Sequence, residues 1–233
     1  MRHRVLLAVL LCMTLLAGCS GRKVDLSNET VSTIGVNGDG SVEEVVVETF
    51  DKDYYSLTEL TAYVNKQVDA FNQANPQEQP ENKKADDPEI TAVTVQYVES
   101  DEDAKTATMA LGYLNMDIYD SFNETNFKFL SMEEAASDKS ISDMNGLVEV
   151  KSGEEKSFSD LTEHTHLHLI YTDSSVRIQT GGKIMYYSKD ASLTDDYTIQ
   201  TSDSPSVVLL FIRAQKFTAD LPIHGTTVTL ALN

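Results

Sequence analysis

The chain reads as an α+β domain: a mainly antiparallel β-sheet, one amphipathic helix over about 57–74 packed on it, and one or two short helices. Three observations carry this reading. Short β-branched runs recur along the chain, most of them separated by turn-forming residues. One segment alone has a sustained helical period. The regular βαβ alternation of a doubly wound parallel sheet is absent.

The elements follow in order. Runs at 31–36 and 42–50 flank Asn37-Gly38-Asp39-Gly40, which predicts a hairpin. Within the second run Val45-Val46-Val47 is apolar on both faces, as in a strand covered on both sides. Ser56-Leu57-Thr58-Glu59 has the form of a capping box. Leu57, Leu60, Val64, Val68 and Phe71 then recur at helical spacing, and Pro76 stops the helix near Ala74. The polar stretch 77–88, with Pro80 and Pro88, is a surface loop.

Residues 90–98 alternate, with Ile90, Ala92, Thr94, Gln96 and Val98 on one face and Thr91, Val93, Val95 and Tyr97 on the other. The acidic turn 99–103 returns the chain into a strand over 106–114. Short helices are expected at 116–122 and 132–136, and strands at 147–150, 165–171, 197–200, 207–212 and 226–232. Runs 176–179 and 183–187 flank Thr180-Gly181-Gly182, read as a second hairpin turn.

Charge and length exclude some functions. There are 37 acidic against 18 basic side chains in 233 residues, a net charge of −19. Nucleic-acid binding runs on clustered Lys and Arg, so no nucleic-acid partner is expected. No apolar run reaches the length of a membrane-spanning helix.

The N-terminus is the most informative segment. Arg2, His3 and Arg4 precede twelve almost wholly apolar residues, 5–16. That is the basic and apolar order of a secretory signal. Leu16-Ala17-Gly18-Cys19 follows and resembles the lipobox of bacterial lipoproteins. The resemblance implies cleavage before Cys19, with a diacylglyceryl group on its sulfur. Residues 1–18 are then a signal peptide, 19–30 a lipidated tether and 31–233 a single extracellular domain. The membrane, reached through Cys19, is the implied partner, and the cell membrane, extracellular side, the implied location. Removing 18 of 233 residues leaves 215, with 16 basic against 37 acidic side chains, or −21. Of the two cysteines, Cys12 leaves with the signal and Cys19 is capped, so no disulfide braces the fold.

Candidate chemistry is sparse. Glu163-His164-Thr165-His166-Leu167-His168-Leu169 would place His164, His166 and His168 on one face of a strand, with Thr165, Leu167 and Leu169 toward the core. Neighbours two apart along a strand stand about 7 Å apart, so two imidazoles can meet one ion. A zinc site needs further ligands, for example His224 or a carboxylate. The alternative is a solvated polar face. Asn37-Gly38-Asp39-Gly40-Ser41 resembles the opening of a calcium loop with Glu48 in twelfth place. Val42 stands where that loop requires glycine, so a hairpin turn is the better reading. The acidic runs 99–103 and Asp195-Asp196 read as solvated turns. Tyr54-Tyr55 and Tyr186-Tyr187 are candidate binding faces or half-buried packing positions. There is no Gly-x-Ser-x-Gly, phosphate loop, His-Glu-x-x-His or reactive cysteine, so a catalytic residue is not assigned.

A second resemblance covers about a third of the mature chain. Its pieces are Asn37-Gly38-Asp39-Gly40-Ser41 before a valine-rich strand, Glu48-Thr49-Phe50-Asp51-Lys52-Asp53-Tyr54-Tyr55 before the helix, and Gly182-Lys183-Ile184-Met185-Tyr186-Tyr187-Ser188. These are similar to surface lipoproteins of clostridial gut bacteria, which carry no assigned activity. Three functions stay open: binding an extracellular ligand or envelope protein, metal binding or metal-dependent catalysis through the histidine strand, and reception of a small solute for a transporter.

Overall fold

The computed structural model describes residues 22–84 and 86–212. The signal segment, Cys19, His224 and the strand expected at 226–232 lie outside them. In chain order the first elements are β1 (Thr33–Val36), β2 (Val42–Thr49), α1 (Leu57–Ala74), β3 (Val93–Asp101), β4 (Thr106–Tyr113) and α2 (Met116–Asn123). Then come β5 (Lys128–Ser131), α3 (Met132–Ser137), α4 (Lys139–Ser142), β6 (Leu147–Glu149), β7 (Glu155–Lys156) and a 3₁₀ turn at Phe158–Leu161. The last are β8 (Leu167–Thr172), β9 (Arg177–Thr180), β10 (Lys183–Ser188), β11 (Ser192–Asp195), β12 (Thr198–Gln200) and β13 (Ser206–Phe211).

The strands form two sheets. One has seven, ordered β11-β12-β9-β1-β2-β4-β3; the other has six, ordered β5-β8-β13-β10-β6-β7. The first is mixed, because β1 runs parallel to β9. The second is antiparallel throughout. The α+β class with antiparallel pairing predominating is as the sequence predicts; the division into two sheets is new.

The inner faces of both sheets share one core. Ile34, Val36, Val42, Leu111 and Ile178 from the seven-stranded sheet meet Ile170, Ile184, Val208 and Leu210 from the other. Helix α1 covers the β4–β3 end of that core with Leu60, Val64, Val68 and Phe71. Its start follows from Ser56, whose side chain accepts from the Glu59 N–H. Its far end is clamped to β3 by Asn72, which donates to the Val93 carbonyl at 2.8 Å and accepts from the Val93 N–H at 2.9 Å. The loop after α1 is clasped in the same way by Gln79, which donates to the Ile90 carbonyl and accepts from its N–H.

Each sheet is also covered on its outer face. The six-stranded sheet carries Leu169, Tyr171, Val207 and Leu209 beneath Met132, Ala135, Ile141, Phe158 and Leu161 of the short helical turns. On the seven-stranded sheet, Val45 and Ala110 are covered by Val24 and Leu26. Val45 thus faces outward while Val42 faces the inner core, so β2 is covered on both sides as its valine run predicts.

Three expectations change. The tether expected over 19–30 is part of the fold from its fourth residue: Val24 and Leu26 are 2% and 4% exposed, because a strand that is apolar on both sides needs a second cover. The alternation expected along 90–98 breaks at Gln96. The register shifts between Val95 and Tyr97, a β-bulge that brings Val98 to the inner face with Val93 and Val95 and sends Tyr97 outward. Thr180-Gly181-Gly182 is not a hairpin turn. β9 and β10 belong to different sheets, and this tripeptide is the crossing between them.

The N-terminal cover dictates Gly35. A Cβ atom there would run into Val24 Cγ1 and lie 3.3 Å from Leu26 Cδ1. Gly35→Ala is expected to destabilise the domain by about 1–3 kcal/mol, the usual cost of overpacking. Val24→Ala in the same chain should recover part of that loss, a coupling of about 1 kcal/mol by denaturant unfolding. Strictly additive losses would show that Val24 does not cover Gly35.

Candidate functional site

The histidines do not form one row. β8 begins at Leu167, so His164 and His166 fall in the turn before it and only His168 is on the strand. The His164 and His166 rings meet edge to face at 5.8 Å. His164 also lies 6.0 Å from the Tyr186 ring, and His166 lies 5.7 Å from Phe211. His168 turns the other way and stacks on Phe129 at 5.5 Å. The reason is that both faces of β8 are buried: Leu167 and Leu169 go to the outer core, so His168 is directed with Ile170 to the inner one. Among the described residues no three His, Cys, Asp or Glu side chains converge as a metal site would require. The carboxylate nearest in effect to His168 is Glu134, whose charge partly offsets the lowering of the imidazole pKa by burial.

A half-buried acid that the sequence reading passed over stands on the inner face of β2. Glu44 lies between Val42 and Val46 and is opposite Leu111 and Ile34 in the register. Tyr113 Oη donates to it at 2.5 Å and Tyr119 Oη at 3.4 Å. Asn123 donates in turn to the Tyr113 hydroxyl at 3.2 Å. Burial raises the Glu44 carboxyl above the usual carboxylate range, against the pull of the two hydroxyls. Burial first, and then the Glu44 charge, push both tyrosines above the ordinary phenol range, so they stay protonated donors. Both phenols donate to the Glu44 carboxyl. Its signal in the sequence is an acid at an even step in a valine-rich strand, on the face that carries Val42.

The surface offers two further features. A groove of about 440 Å³ lies beside the N-terminal cover, between Lys23, Asp25, Glu43, Gln96 and Tyr97. At the other end of β2, Phe50 stacks on Tyr55 at 5.1 Å and Tyr54 meets Tyr55 edge-on at 5.0 Å. Tyr54 is 77% exposed, so this stack is presented to solvent, whereas Tyr186 is buried in the outer core. The acidic turn 99–103 stands at that same end, since Phe50 N–H donates to the Lys105 carbonyl. Asn37-Gly38-Asp39-Gly40 forms the hairpin turn between β1 and β2, with Gly40 at a φ of 85°. Ser41 N–H and Oγ both donate to Asp39 Oδ1, which orders the turn without an ion.

Comparison of the chain with protein-family models, with curated proteins and with solved structures finds no match.

Glu44 gives the fold a pH dependence of defined sign. Its native pKa lies above the ordinary value of 4.5, so the folded state keeps a proton that the unfolded chain has released. The stability this supplies is complete below 4.5 and is lost as pH rises through the folded value. Glu44→Gln cannot titrate. The melting temperature of the unsubstituted protein relative to Glu44→Gln should therefore fall as pH is raised from about 4 to about 8. A difference independent of pH would show that Glu44 titrates as an exposed acid does.

Proposed function

We propose that the chain is a membrane-anchored lipoprotein whose acidic domain is held on the extracellular side and serves ligand binding or envelope interaction. The observation that carries this reading is the ordered N-terminus: a basic start, an apolar run and Leu16-Ala17-Gly18-Cys19. One acyl chain binds a membrane only marginally, and two hold stably, which is what a diacylglyceryl thioether provides. The fold supports the reading in two ways. It closes three layers of core with no cysteine among its described residues, as a chain must if its one mature cysteine is committed to lipid. It also presents the stacked rings of Phe50, Tyr54 and Tyr55 to solvent, the kind of flat aromatic surface through which proteins contact ligands.

Cys19→Ala tests the anchor. The variant is expected to lose lipid labelling and to leave the membrane fraction. Retention of label on the variant would remove Cys19 as the attachment point.

A further inference from the structure

The first described residues define which end of the domain an anchor at Cys19 would hold. Arg22 is already fastened: its carbonyl oxygen would be 2.7 Å from a Cβ on Gly181, and its guanidinium lies over the Tyr197 ring at 4.8 Å. Val24 N–H then donates to Asn37 Oδ1 and Asp25 N–H to Gln179 Oε1. All these partners belong to one end of the seven-stranded sheet, the end formed by the β1–β2 turn, the Gly181–Gly182 crossing and the β11–β12 turn. Ile212, the last described residue, is at the same end, 2.8 Å from a Cβ on Gly182.

We propose that this end of the domain rests directly on the lipid headgroups. The inference depends on the lipid anchor proposed above and adds its geometry. Cys19 and Arg22 are three peptide bonds apart, so their Cα atoms are separated by at most about 11 Å. A tether that short cannot let the domain turn over. Charged residues at this end include Arg22, Lys23 and Lys183 with Asp39, Glu43, Asp195 and Asp196; Lys23 is paired with Glu43 at 3.6 Å and Lys183 with Asp196 at 2.7 Å. The uncompensated acids Glu99, Asp101, Glu102 and Asp103, with Lys105 beside them, are at the opposite end of β2 and β4. The eight residues of β2 place them about 25 Å farther out, well beyond the Debye length over which an anionic leaflet repels them. The same orientation turns Phe50, Tyr54 and Tyr55 away from the membrane.

The test uses the full lipidated protein in vesicles, some of whose lipids carry a headgroup nitroxide. With Cys19 acylated the mature chain has no free thiol, so one introduced cysteine takes one fluorophore. Asp196→Cys and Lys183→Cys mark the anchored end, and Glu102→Cys marks the far end; all three positions are exposed. The nitroxide should quench the two near labels severalfold more than the far one. Inserting ten Gly/Ser residues after Gly21 should erase the contrast. Equal quenching at both ends, on protein whose mass shows the lipid, overturns the orientation and leaves the anchor standing. Absence of the lipid mass overturns the anchor, and the orientation with it. Near labels shielded from an aqueous quencher but untouched by the nitroxide would mean that protein, a second copy or an envelope partner, covers this end, and would overturn lipid contact.

Discussion

Between Thr180 and Lys183 the backbone leaves the seven-stranded sheet and enters the six-stranded one, through a space that admits no Cβ atom. Gly181 N–H donates to the Val36 carbonyl at 2.8 Å, which ties the crossing to β1. A side chain at Gly181 would meet the Arg22 oxygen and the Gly38 nitrogen, and one at Gly182 would meet Ile212 and the Phe211 oxygen. Thr180 N–H donates to the Tyr197 carbonyl and Ile184 N–H to the Asp196 carbonyl, so the β11–β12 turn is fastened on both sides of the crossing. The parallel pairing of β1 with β9, the stacking of the two sheets and the entry of the chain at Arg22 all pass through this one crowded place. With no disulfide among the described residues, close packing here and in the cores does the bracing.

Much of this was legible in local pattern. The period of Leu57, Leu60, Val64, Val68 and Phe71 located α1 with its cap, and the doubly apolar Val45-Val46-Val47 foretold cover on both faces of β2. What stayed hidden was long-range. Gly181 and Gly182 carry the same composition whether they turn a hairpin or slip between two backbones, and only the partners at 22, 38 and 212 distinguish the two. The bulge at Gln96 inverts the faces of a strand whose alternation looks regular. The 20–30 stretch is polar on average, yet its Val24 and Leu26 pack over Val45 and Ala110, with Val47 and Tyr97 beside them. Short pieces such as β7 or the turn at Phe158–Leu161 have too few residues to establish a period.

The candidate sites show the same division. The three histidines stood out because of their spacing, but the start of β8 at Leu167 and the burial of both its faces separate His168 from the other two. Glu44 did not stand out, yet it is the acid whose titration is coupled to the core, through Tyr113 and Tyr119. Among the described residues neither cluster gathers three metal-binding side chains. The described domain has two unlike ends: one is crowded and fastened where the chain enters at Arg22, and the other is acidic and aromatic.

The proposed anchor stands on Cys19, and the N-terminal peptide of the protein recovered from membranes tests it most directly. Trypsin cuts after Arg22, so mass spectrometry should find a peptide that begins at Cys19, ends at Arg22 and carries the diacylglyceryl thioether on its cysteine. A peptide with an unmodified Cys19, or one that retains residues before it, would contradict the anchor and everything placed upon it.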